Sequence, residues 1–103
     1  MNDRILGLLG ICLRAGKLTL GNDMVLSGAE NGEVVLVVTA KDISKNTLKK
    51  ILSCCERCGV RHIPLDRTKD EMSLALGRLC VVAGIRDVGF SKKISELAEN
   101  NRR

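Results

Sequence analysis

Five cysteines and a single histidine are the side chains here with the most recognisable chemistry. Cys54-Cys55-Glu56-Arg57-Cys58 contains a CxxC, the spacing with which other chains grip zinc or cycle between thiol and disulfide. Zinc knuckles usually come in pairs, whereas this chain has no second CxxC and offers only His62 as an imidazole ligand. A redox CxxC opens a helix, where the dipole lowers the thiol pKa; this one falls in the last turns of a helical stretch. Small buried apolar thiols are therefore the expected role of Cys54, Cys55 and Cys58, and equally of Cys12 and Cys80. A thiol or metal protein working through Cys55 and Cys58 is kept as a lesser alternative. His62 has no serine or cysteine nucleophile beside it in sequence, and no pair of carboxylates stands out as an acid and a base. No catalytic residue, metal ligand or cofactor is expected, and the chain is not read as an enzyme.

The cations say more. Lysine and arginine outnumber acids 17 to 12, giving a net charge of +5 and a pI near 9.2, which suits a polyanionic partner. They fall in three connections: Arg14 and Lys17, Lys41 and Lys45, Arg67 and Lys69. Ligands of α/β sheets gather at loops on one end of the strands, so three basic loops meeting there would make one phosphate-binding edge. Scattered solubilising charge is the plain alternative. Phe90 is the single aromatic residue, too few for a base-stacking platform, which leaves recognition of folded RNA through backbone and shape. Within this set, Arg14 to Asp23 is the expected working edge. Gly21 is free to adopt unusual backbone angles, Asn22 or Asp23 is expected to cap the next helix, and an exposed helix start favours a phosphate.

The elements that position these residues follow from periodicity and punctuation. Asp3 to Ala15 is apolar around most of a helix, with Gly7 and Gly10 expected to admit a close neighbour, and Gly16 ends it. Leu18 to Leu20 is a short edge strand, and Asn22 to Asn31 a second helix stopped by Gly32. Val34 to Val38 is a β-branched run without polar alternation, the pattern of a central strand covered on both faces. Ser44 is placed to cap a third helix whose inner face is Leu48, Ile51, Leu52 and Cys55, with Lys45, Lys49 and Lys50 turned outward. Arg61 to Leu65 is a strand near an edge because Pro64 lacks a donor. Asp70 to Leu76 is a short helix, Cys80 to Ile85 a buried strand, and Ser91 is expected to cap the last helix, which frays over residues 100–103. Helices alternating with apolar strands predict one α/β domain spanning 1–103: a three-layer α/β/α sandwich around a mixed sheet of about four strands. No glycine pattern marks a dinucleotide or phosphate-loop site. The apolar runs are far shorter than the roughly twenty residues of a membrane helix. With no leader pattern and unpaired cysteines, a cytoplasmic monomer without membrane association is expected.

Arg14-Ala15-Gly16-Lys17-Leu18 followed by Gly21, then Val38 through Thr47, then Ala75-Leu76-Gly77-Arg78, resemble the ribosomal protein L7Ae/L30e family, and its small bacterial ribosomal-type members in particular. Spread over Ile5 to about Ile94, the resemblance implies an α/β/α sandwich and a non-enzymatic partner of structured RNA. The RNA would be ribosomal or another kink-turn RNA, a sharply bent duplex, within a ribonucleoprotein of translation, and the ribosome itself is a candidate partner. Carried over by position, Gly21, Asn22 and Asp23 match the RNA-contacting helix start, and Asn22, Asp23 and Ser27 would meet base edges or sugars. Lys17, Lys41, Lys45, Arg67 and Lys69 would hold phosphates. The later loop, Arg67 to Ser73, would cover the bulged nucleotides, with Met72 packed beside an unstacked base and Ser73 next to it. Met24 stands where the family commonly has an acid or amide, Ser27 where a lysine is usual, and Met72-Ser73 where Leu-Gly is usual. These replacements motivate an alternative, a ribosome-associated or protein-interaction adaptor that has lost kink-turn specificity.

Overall fold

The computed structural model describes residues 3–100. Its elements are α1 (Arg4–Arg14), β1 (Leu18–Leu20), α2 (Asn22–Glu30), β2 (Leu36–Thr39), α3 (Lys45–Cys58), β3 (Arg61–Pro64), α4 (Lys69–Leu76), β4 (Val82–Ile85) and α5 (Val88–Asn100). The expected fraying concerns, from residue 101 onward, positions outside the described residues. In space the strands run β1-β4-β2-β3. β4 is antiparallel to both of its neighbours, and β2 and β3 are parallel, so the sheet is mixed.

Alternation along the two central strands divides the interior. Leu36, Val38, Ala83 and Ile85 point to one side, with Leu9, Met72, Leu76 and Ile94. Val37 and Val82 point to the other, with Val25, Ala29, Ile51 and Cys55. β2 is fully buried, as its β-branched run requires, and the α/β/α sandwich read from the sequence is the observed one. Its boundaries differ from expectation: Val34 precedes the strand and is folded against α2. A methyl built on Gly28 would lie 2.6 Å from Val34 Cγ2, and one on Gly84 3.0 Å from the same side chain. These two glycines bring α2 down onto the sheet. Of the two α1 glycines expected to admit a close neighbour, Gly10 is buried, with a methyl built on it 3.9 Å from the Ala75 carbonyl oxygen of α4, whereas Gly7 faces open space.

Four helix starts are closed by the chain's own side chains. Asp3 accepts the Leu6 amide, Ser44 the Thr47 amide, and Thr68 with Glu71 forms a reciprocal capping box on α4. At α5 the cap is Asp87, which accepts the Phe90 amide; Ser91 lies inside the helix and its amide donates to the Asp87 carbonyl. An earlier acceptor of the right geometry therefore displaces Ser91 from the expected role. On α3, Leu52 is exposed and Cys54 takes its place on the inner face, a small rotation that the apolar spacing alone did not distinguish.

The second oxygen of Asp3 accepts from Arg67 Nε, tying the start of α1 to the loop after β3. Burial opposes the Asp3 charge, but the Arg67 hydrogen bond and charge, with the Leu6 and Ile5 amides, outweigh it and hold the carboxyl below its ordinary 3.8. A folded-state pKa that is depressed gives stability present above the ordinary value and lost as pH falls through the folded one. Asp3→Asn, which keeps a capping oxygen, is expected to lower the melting temperature near neutrality and to flatten its decline from about pH 5 to about pH 2. Thermal melts of both proteins across that range check this.

A candidate nucleic-acid interface

β1, β2 and β3 all end, and β4 begins, at the same edge of the sheet, as the registers Leu20↔Ala83, Val38↔Ala83 and Thr39↔Pro64 require. Four segments therefore meet there: the start of α2, the connection Ala40–Ser44, the connection Leu65–Thr68 and the connection Gly77–Val81. Backbone bonds hold them together, from the Ala40 amide to the Val81 carbonyl and from the Lys41 amide to the Arg67 carbonyl, both 2.8 Å. The Lys69 amide donates to the Asp42 carboxylate at 2.7 Å.

The start of α2 differs from the other helix starts. Gly21, not Asn22 or Asp23, occupies the capping position, with φ +96° and ψ 147°, and no side chain closes the first turn. A positive φ is readily adopted only by glycine, so Gly21 turns the chain sharply and throws Asn22 and Asp23 outward as exposed residues. Free amides and the positive dipole end are thereby presented to solvent, flanked by side chains able to donate and accept.

The structure sorts the remaining expected site residues. Lys45 and Lys69 are exposed at this edge without an ion pair among the described residues. Lys41 reaches Asp66 at 3.3 Å, a pair exposed on both sides and therefore easily surrendered to a phosphate. Arg67 is spent on Asp3 and on the Asp66 carbonyl, and acts as a tie. Lys17 lies at the other end of the sheet, because Leu18 pairs with Ile85, which faces Leu36 at the beginning of β2. Two of the three basic connections meet, not three.

Met72 is 0% exposed within the core and cannot pack against a base. Ser73 accepts from the Cys80 amide at 3.1 Å and donates to the Cys80 carbonyl, fixing the connection that precedes β4. That connection is what the sequence reading missed. Leu79 at its tip is 83% exposed, and Arg78 lines a cleft of about 340 Å³ with Met24, Ser27 and Leu20, beside α2. Two signals could have found it: Leu79 stands isolated between Gly77 and the buried strand, and Arg78 has no acidic neighbour in sequence.

Four of the five thiols are buried, and the histidine bridges two strands. Burial pushes Cys55 and Cys12 up to about 11, and it also raises Cys54, whose Sγ lies 4.0 Å from that of Cys58. His62 Nε2 is 2.9 Å from Thr39 Oγ1, joining β3 to β2, and burial lowers its pKa so that the neutral ring is favoured. Among the described residues no group of three or more His, Cys, Asp and Glu side chains is arranged to hold a metal ion. No described helix is long and apolar enough to cross a membrane.

Residues 3–95 match the sequence model of the ribosomal protein L7Ae/L30e/S12e/Gadd45 family. The chain belongs to that family. It is 32% identical over 99 residues to RNA-binding protein YlxQ of Enterococcus faecium, the match covering 94% of this chain and 93% of that one. With the Bacillus subtilis protein of the same name it shares 30% over 95 residues, covering 89% of this chain and 92% of that one. A solved structure of a Bacillus halodurans protein superimposes with a TM-score of 0.89 at 31% identity, over 95% of this chain and 99% of that one. The Giardia lamblia 15.5kD RNA binding protein shares the fold with a TM-score of 0.77 at 18% identity, covering 97% of this chain and 89% of the other.

Proposed function

We propose that this L7Ae-family protein is a cytoplasmic, non-enzymatic RNA-binding module that acts as a monomer and recognises structured RNA of the kink-turn type, ribosomal RNA included. The observation that carries this reading is the open start of α2, set beside the Arg78–Leu79 tip at the edge where Lys41, Lys45 and Lys69 also gather. Uncapped amides and lysines suit phosphates, Asn22 and Asp23 have the donors and acceptors to meet base edges or sugars, and Leu79 offers an apolar contact to an unstacked base. The relatives named as RNA-binding proteins support the same reading.

Met24 shapes the specificity. Where a carboxylate or amide would bond the edge of a guanine, the thioether offers only a weak acceptor and apolar surface. The contacts left for discrimination are Asn22, Asp23 and Ser27, all exposed along α2. The test is equilibrium binding to a kink-turn RNA and to a straight duplex of equal length over a salt series. Preference for the kink-turn at every salt concentration is the expected result. Equal affinity for both would refute kink-turn recognition and favour the adaptor alternative.

A further inference from the structure

Both α2 and α3 begin at the RNA-facing edge and run away from it in parallel, leaving a groove of about 580 Å³ between them. Leu26 and Cys54 line it, Lys49 and Lys50 stand along its α3 side, and the Arg57–Glu30 pair at 2.9 Å closes its far end. Helical spacing fixes how the groove meets the edge. Asn22, Leu26 and Glu30 succeed one another at intervals of four on α2, so the α2 wall leads straight up to Asn22. On α3, Lys45, Lys49, Ser53 and Arg57 form one line at the same interval, with Asn46, Lys50 and Cys54 beside it. From Asn46 to Arg57 the wall is about 16 Å long.

The electrostatics of this groove are one-sided. Its acid, Glu30, is held by Arg57, whereas Lys49 and Lys50 are exposed and make no ion pair among the described residues. Lys45 extends the cationic line to the mouth. This is a track for an anionic backbone, continuous with the start of α2.

We infer that the α2–α3 groove receives the phosphate backbone of the RNA stem flanking the kinked segment, so that the bound RNA extends down the helical face beyond the sheet edge. The inference rests on the RNA-binding reading above. Lys49 and Lys50 supply phosphate contacts there, Asn46 and Ser53 lie within the same wall, and Arg57 is exposed enough to exchange Glu30 for a phosphate at the far end.

Three kink-turn RNAs test it, one carrying a full helical turn of flanking stem on each side and two in which one or the other stem is cut back to its first pairs. Each is titrated with the parent protein, with Lys49→Ala/Lys50→Ala, and with Lys92→Ala/Lys93→Ala, which removes the same charge from α5 on the opposite face. Melting temperatures are recorded alongside, and all four lysines are exposed. For the long-stem RNA, the groove variant is expected to bind about tenfold more weakly, with a salt slope lower by about two, while the α5 variant matches the parent. On the RNA lacking the stem that occupies the groove, parent and groove variant converge. A groove variant that tracks the α5 variant on every RNA overturns the inference while leaving the RNA reading intact. So does one that loses as much on each truncated RNA as on the long one. A parent protein that binds none of the RNAs more tightly than a straight duplex overturns the kink-turn reading itself, and the inference falls with it.

Discussion

Met72→Ala is expected to lower folding stability by about 2–5 kcal/mol while leaving the RNA affinity of the folded protein unchanged. Met72 is completely buried among Leu9, Leu76, Cys80 and Ile94, between α4 and the sheet. Truncation removes transfer free energy and leaves a cavity that neighbouring side chains fill only in part. Denaturant unfolding followed by binding at a temperature where both proteins remain folded separates the two effects. A binding loss without a stability loss would return Met72 to the interface and contradict its burial. Leucine at the same site, nearly conserving volume, is expected to cost less than about 1.5 kcal/mol.

Met72 also marks where sequence reading reaches its limit. Periodicity placed α4 correctly to within a residue, because Gly77 ends it and a polar cap precedes it. What periodicity could not supply was the helix's rotation: in an eight-residue helix, Met72 and Leu76 face inward while Leu74 is left 87% exposed. An apolar residue in a functional-looking loop and one in a core helix read identically until the layers are stacked. The β-branched run before Thr39 had no such ambiguity, since a strand without polar alternation has to be covered on both faces.

The same difference separates the legible part of the candidate site from the rest. Gly21 announced a turn that only glycine adopts easily, and the exposed Asn22 and Asp23 follow from it. Which cations share an edge is a property of strand order. Lys17 and Lys41 look alike in sequence, but antiparallel pairing of β1 with β4 and of β4 with β2 puts them at opposite ends of the sheet. Arg67 is likewise removed from the interface by Asp3, a partner 64 residues away that no local pattern reveals.

Strand order also produces the second large expected effect. β4 enters the sheet between β1 and β2, so its leading connection lies beside the start of α2, and Ser73 fixes the geometry of that connection through Cys80. Arg78→Ala combined with Leu79→Ala is therefore expected to weaken binding to the preferred RNA by about 10- to 100-fold, the range for losing an anchoring apolar contact together with a phosphate contact. Stability should hardly change, because Leu79 is 83% exposed and Arg78 makes no ion pair among the described residues. Val88→Ala is the matched control: Val88 is 74% exposed but lies past the opposite end of β4. The two single variants divide the effect by mechanism. Arg78→Ala should reduce the salt slope by about one and weaken all RNAs alike. Leu79→Ala should leave the slope unchanged and weaken only RNAs that present an unstacked base, because an apolar contact releases no counterions. If Leu79→Ala instead behaves like Val88→Ala, Leu79 does not touch the RNA, and recognition rests on the start of α2, Arg78 and the lysines of the sheet edge.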